Sequence, residues 1–109
     1  HINAAGGNSW VRREVDERAV LKSSVIAVDI LDLAKIECGD LIWPAEGGVI
    51  RWEQVVELED IGAGRGKGRS DAQAITLFES QGLAIEDVAT AMHVYKLARE
   101  RGVGKELPF

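Results

Sequence analysis

At 109 residues, with 46% hydrophobic and 28% charged side chains, the chain has the composition of a single globular domain spanning 1–109, neither disordered nor membrane-spanning. The net charge of −5 opposes a nonspecific hold on nucleic acid, and the longest apolar run, around Val25–Ile30, is too short to cross a bilayer. The N-terminus lacks the basic lead and apolar core of a signal peptide, and the lone Cys38 excludes an intramolecular disulfide, so the expectation is a cytoplasmic protein without nucleic-acid or membrane partners.

In chain order, Ile2–Ala5 reads as a short strand running into Gly6-Gly7, where the backbone can turn sharply or approach a ligand. Asn8–Val15 is mixed and polar, a loop. Asp16 is placed to cap a short helix through about Ser23 that turns Ala19 and Val20 inward. Val25–Asp29 is an unbroken β-branched run closing on an acid, the pattern of a buried strand. A helix from Ile30 to about Glu37 follows, with Asp29 as its cap and Gly39 at its stop.

Leu41–Gly48, with Pro44 and paired glycines, reads as an irregular loop, and Trp52, Val55, Val56 and Glu59 have the spacing of a helix from about Trp52 to Asp60. Gly62–Gly68 breaks regular structure. Ile75–Phe78 is a second buried strand. Leu83–Arg101 is a long helix with Leu83, Ala84, Val88, Ala91, Met92, Tyr95 and Ala98 on a wide apolar face, stopped by Gly102. Lys105–Phe109 is a short extended end. The alternation of strand and helix predicts an α/β fold: half of a doubly wound, Rossmann-like parallel sheet with a long C-terminal helix.

Few residues carry chemistry by type alone. The Gly62–Gly68 loop, with Arg65, Lys67 and Arg69, has the parts of a phosphate cradle. It is no dinucleotide fingerprint, however, because Lys67 stands where G-x-G-x-x-G needs glycine; a solvated loop is the favoured reading. His93 has no second histidine nearby, which argues against a metal site. Cys38 lacks a partnered base and reads as a buried small residue. Asp29 and Asp32 read as caps, and Trp10, Trp43 and Trp52 as gap-fillers or a contact surface.

Two stretches are specific in wording. Gly68-Arg69-Ser70-Asp71, Ile75-Thr76-Leu77-Phe78 and Ser80-Gln81-Gly82-Leu83-Ala84 fall in one run, and the chain opens on His1-Ile2-Asn3-Ala4-Ala5-Gly6 with Arg13-Glu14-Val15-Asp16 close behind. Together they resemble the C-terminal part of the ornithine cyclodeaminase/mu-crystallin family of NAD(P)-linked enzymes. The resemblance is strongest over 1–16 and 68–101 and thin across 40–60. It implies that Ala4, Ala5, Gly6 and Gly7 line the nicotinamide side of the cofactor site and that Arg12 and Ser80 also meet the cofactor. By the same resemblance Asn8 and Gln81 fall on substrate-binding positions.

Two departures follow from the resemblance. Where the cyclodeaminase carries an aspartate that handles the amine proton, this chain has Asn8, and an amide is no general base; imine reduction or amino-acid dehydrogenation is the better branch, and no catalytic residue is assigned. The family's dinucleotide fingerprint would lie upstream of His1, a start that is not a methionine. Tight binding of NAD(P) by this chain alone is therefore not expected.

For the chain as given, the expectation is a non-catalytic, oligomeric binding or assembly module; the alternative is the C-terminal part of an NAD(P)-dependent imine reductase or amino-acid dehydrogenase. An uncovered sheet edge and an apolar helix both predict a homodimer or higher symmetric oligomer built through helix 83–101.

Overall fold

The computed structural model describes residues 1–108. Four parallel strands, β1 (Ile2–Ala4), β2 (Val25–Val28), β3 (Val55–Glu57) and β4 (Thr76–Glu79), form one sheet in the order β1-β4-β2-β3. The last strand in sequence is inserted between the first two. This is the α/β, half doubly wound arrangement with a long C-terminal helix. Among the described residues, no helix is long and apolar enough to cross a membrane.

Strand alternation divides the sheet into two unlike faces. Ala4, Ile26, Val28, Val55 and Leu77 point to one face and form the core with Val20, Ala34, Cys38, Leu41 and Ile50. That face is covered by α1 (Glu17–Lys22), α2 (Leu31–Glu37) and α3 (Gly39–Glu46). The opposite face carries Val25, Ala27 and Phe78 along an open trough of about 520 Å³, rimmed by Leu58, Ile61 and Arg69.

Helix α1 begins where Asp16 accepts a hydrogen bond from the Ala19 N–H at 2.8 Å, and its Val20 is fully buried. Asp29 does not cap α2; the Leu31 N–H is met instead by Glu57 Oε1 at 2.7 Å, reaching across from β3. The stretch 41–48 is also not a loop. Gly39 follows the end of α2, as expected, and is also the first residue of α3; glycine is required there because a Cβ would collide with the carbonyl oxygens of Arg12 and Trp10. Pro44 sits inside α3 at the loss of one N–H bond, offset by packing its ring and Leu41 into the core.

The helix expected over 52–60 is replaced by a short 3-10 turn (Trp52–Gln54), β3, and the one-turn helix α4 (Leu58–Gly62). A three-residue strand is too short to show alternation, and pairing of Val55, Val56 and Glu57 with β2 decides the conformation. From Ala63 the chain is irregular to residue 75, as is the tail at 105–108; Phe109 lies outside the described residues.

Helix α5 (Ala84–Glu100) buries no residue along its 17 positions. Ile85 is 73% and Val88 65% exposed, with Met92, Val94 and Tyr95 each more than half exposed. The helix projects from the sheet, which gives the chain extents of 56 × 32 × 21 Å and a radius of gyration of 17.3 Å, against about 13 Å for a compact chain of this length. Gly102, at φ +63°, ends it in the left-handed conformation glycine adopts freely.

Because loop 10–15 lies on Gly39, Gly39→Ala should displace it and destabilise the fold by about 1–3 kcal/mol, the range for overpacking a tight site. A urea midpoint unchanged from the parent would contradict this close approach.

Candidate functional site

The resemblance-derived positions lie at the carboxyl ends of the two strands β1 and β4, where open parallel sheets gather ligands. The strands pair directly: Ala4 opposes Glu79, and the Ser80 N–H donates to the Ala4 carbonyl at 2.9 Å. Ala4–Gly7 and Ser80–Gln81 are thereby neighbours. Ala4 is buried, while Ala5, Asn8 and Arg12 are exposed; the Arg12 N–H donates to the Ser9 carbonyl at 2.9 Å, closing a turn in the loop beside Gly6-Gly7.

Each segment is held by a carboxylate. Glu14 Oε2 accepts from the N–H groups of Gly6 and Gly7 at 2.7 and 3.0 Å, so the glycine bend is braced by a side chain from its own loop. Asp40, buried at the start of α3, in turn accepts from the N–H groups of Glu14 and Val15 at 2.9 and 3.1 Å. On the β4 side a single oxygen, Asp29 Oδ2, accepts three bonds of 2.9 Å: from Ser80 Oγ, the Gln81 N–H and the Gly82 N–H. Gly82 adopts φ +83°, which lets the turn present two consecutive N–H groups to one acceptor. Asp29 is therefore the cap of this turn, not of α2.

Below the two segments lies Glu79, 1% exposed, its Oε2 facing the Cys38 thiol at 3.7 Å and its Oε1 unpaired. Burial pushes its carboxyl from 4.5 up to about 8, with the negative charges of Asp40 and Glu14 adding to the rise. Burial, and next the charge of Glu79, pushes the Cys38 thiol up to about 12, so it stays protonated and is no nucleophile.

Beside the Ser80 turn opens a cleft of about 550 Å³, walled by Ile30, Leu58, Leu83 and Ile85 and lined by Asp29, Glu57, Glu59 and Glu86. The glycine-rich loop is elsewhere and is spoken for: the N–H groups of Arg65 and Gly66 both donate to the Asp60 carbonyl, and Arg65 pairs with Asp60 at 2.7 Å. It has no free backbone nest at those positions for a phosphate. Trp10 and Trp43 stack at a tilt, 6.0 Å apart, and Trp43 Nε1 donates to the Trp10 carbonyl, which clasps the loop after Gly6-Gly7 to α3. Among the described residues, no group of three or more His, Cys, Asp or Glu is arranged to hold a metal ion.

The sequence pattern of the ornithine cyclodeaminase/mu-crystallin family matches residues 1–102. The chain belongs to that family. It is 34% identical over its whole length to a Delta(1)-pyrroline-2-carboxylate reductase of Bacillus cereus and 39% identical to an alanine dehydrogenase of Archaeoglobus fulgidus, covering 34% of each. Among solved structures it superposes on the Thermococcus litoralis Delta(1)-pyrroline-2-carboxylate reductase, held with NADH and L-proline. That match has a TM-score of 0.83 and 44% identity, over 98% of this chain and 33% of that one. An archaeal alanine dehydrogenase dimer with bound NAD matches with a TM-score of 0.78 at 39% identity, over 100% of this chain and 34% of that one. The chain spans about a third of the length of the curated relatives it matches.

In this family member, then, the fold brings Ala4, Gly6, Gly7, Ser80 and Gln81 to one place. Asp29, Asp40 and Glu79 were not legible as site residues. Asp29 and Glu79 meet their partners only once β4 has paired with its neighbours, and Asp40 only once residues 14–15 lie against the head of α3.

Glu79 makes stability depend on pH. Its folded-state pKa is raised, so the native state holds a proton that the unfolded chain releases. Stability should be highest below about 4.5 as far as this group is concerned, fall as pH rises toward about 8, and level off beyond. Glu79→Gln should flatten that fall, read as urea midpoints across the same window; a variant with the parent's slope would refute the assignment.

Proposed function

We propose that this chain forms the nicotinamide-facing part of an NAD(P)-linked reductase or dehydrogenase that acts on a small cyclic imino acid or an amino acid. The observation that carries the reading is the direct junction of the Gly6-Gly7 bend with the Ser80–Gly82 turn, each fixed by its own carboxylate, at the carboxyl ends of paired parallel strands. Relatives that bind NADH or NAD and reduce imines or oxidise amino acids support it.

The residues suit one end of a dinucleotide. A Cβ at Gly6 would lie 2.5 Å from Glu14 Oε1, so glycine there leaves room for the carboxylate that braces the bend. Ala4, Ala5, Gly6, Gly7 and Ser80 would hold the nicotinamide end, with Arg12 as a nearby cation. When bound, NAD(P)H supplies a hydride. The chain's own share is to orient and exclude water: Asp40 fixes Glu14, Glu14 fixes the bend, and Asp29 fixes the turn. Asn8 can orient a substrate through its amide but cannot take a proton, which favours imine or amino-acid redox chemistry over cyclisation with loss of ammonia.

The exposure of α5 does not favour a free-standing assembly module without catalysis. Assembly of a reductase meets that exposure equally well. The apolar residues along α5 favour a homodimer in which this helix is buried.

Three experiments test these readings. The full-length polypeptide carrying this chain should consume NAD(P)H with a five-membered cyclic imino acid and should not turn over ornithine, while the isolated 109-residue chain shows neither above a heat-killed control. Asn8→Ala should lower kcat/KM by less than about 100-fold, below what a general acid–base residue contributes. No imine-dependent consumption by the full-length protein would overturn the reading. For assembly, Met92→Glu should shift sedimentation equilibrium toward monomer; a parent that is a stable, well-folded monomer at micromolar concentration would sink it.

A further inference from the structure

We infer that Trp43 is a positioning residue: its indole N–H sets the loop that carries Asn8, and so governs affinity for the substrate separately from affinity for the dinucleotide. This rests on the proposed reductase reading, in which Asn8 orients the substrate and the Gly6-Gly7 bend meets the nicotinamide end.

The segment between the bend and Glu14 has little to hold it. None of residues 8–13 is buried, and Trp10 and Val11 are 54% and 61% exposed. Inside the segment the Arg12 N–H closes a turn on the Ser9 carbonyl at 2.9 Å. Among the described residues, the one hydrogen bond that ties 8–13 to another element runs from Trp43 Nε1 to the Trp10 carbonyl, at 2.9 Å. The two rings add a tilted contact, 6.0 Å between centroids. Segments with few buried contacts open at little cost, so a single bond decides where such a loop rests.

The tie comes from a well-packed element. Gly39 and Trp43 stand one turn apart on α3, on the same side of the helix. Gly39 brings no side chain, so the Trp10 and Arg12 carbonyls can lie against the helix, and Trp43 bonds the first of them. The bend has a brace of its own, because Glu14 Oε2 holds the Gly6 and Gly7 N–H groups and Asp40 holds the Glu14 N–H. Loss of the Trp43 bond therefore releases Asn8 and the Ser9–Arg12 turn while the backbone at Gly6 and Gly7 keeps its place. Two separate devices, Trp43 and Glu14, hold the substrate and dinucleotide ends of one loop.

The test is steady-state kinetics of the full-length polypeptide carrying this chain, with NAD(P)H and a five-membered cyclic imino acid varied in turn. Trp43→Phe keeps an aromatic ring on Trp10 but deletes the N–H. It should raise KM for the imino acid about three- to tenfold, the worth of one hydrogen bond, with KM for NAD(P)H within about twofold. Trp43 is 45% exposed, so this exchange should leave the urea midpoint unchanged. Trp10→Phe leaves the accepting carbonyl in place and should keep both KM values within about twofold. In an Asn8→Ala background Trp43→Phe should add less than about twofold, because Trp43 acts through Asn8; a purely structural role would add in full. An unchanged KM for the imino acid in Trp43→Phe overturns the inference, as do both KM values rising together, a Trp10→Phe effect equal to that of Trp43→Phe, or full additivity with Asn8→Ala. Any of these in a protein that still reduces the imino acid leaves the reductase reading standing and removes only the role of Trp43. A full-length protein with no imine-dependent turnover overturns the reading and this inference with it.

Discussion

The pairing of β1 with β4 is the constraint on which the rest depends. These strands are separated by most of the sequence, yet the Ser80 N–H to Ala4 carbonyl bond of 2.9 Å places the glycine bend and the Ser80 turn side by side. Parallel neighbours must be joined by crossovers; α1, α2 and α3 carry the chain over the core face, while α4 and the irregular stretch after it lead from β3 to β4 past the open face. Insertion of β4 between β1 and β2 also sets Glu79 opposite both Ala4 and Val28. A buried acid at that position is costly, and it is tolerated because the carboxyl keeps its proton.

Carboxylates replace backbone partners throughout this end of the sheet. Six N–H groups, those of Gly6, Gly7, Glu14, Val15, Gln81 and Gly82, leave regular structure and have side-chain carboxylates in place of backbone partners. Three acids satisfy all of them. A charged acceptor forms stronger bonds than a neutral one, and each acid also brings a specific spacing that a solvating water would not. The result is a pair of loops whose geometry is set before any ligand arrives.

Much of the fold was legible because local signals and tertiary packing agree there. Asp16 caps its helix, Val25–Val28 is a strand wherever it is placed, and Gly102 ends α5. The sequence misleads where a long-range contact outranks a local preference. Pro44 and Gly39 look like breakers, but one packs into the core and the other admits two carbonyls. Val55 and Val56 fit a helical period until β2 supplies an edge. Asp29 stands where a cap belongs, yet its partners lie more than fifty positions away, so no reading of neighbours finds them. The candidate site itself was legible only through the wording shared with a known family, since glycine, alanine and serine carry no signature of their own.

The two faces of the sheet divide the labour. The glycine bend is braced from the packed face, by Glu14 through Asp40 at the head of α3 and by Gly39 under the Arg12 and Trp10 carbonyls, while the Ser80 turn is held by Asp29 at the end of β2. The opposite face keeps an open apolar trough, and α5 stands away from both. Rigidity at the site therefore does not wait on whatever covers the open face or the helix. Surfaces left for other polypeptide can be covered, shifted or exchanged while the bend and the turn hold their spacing, because the bonds that set it run from Ala4, Glu14, Asp40 and Asp29 and involve neither the trough residues Val25, Ala27 and Phe78 nor α5.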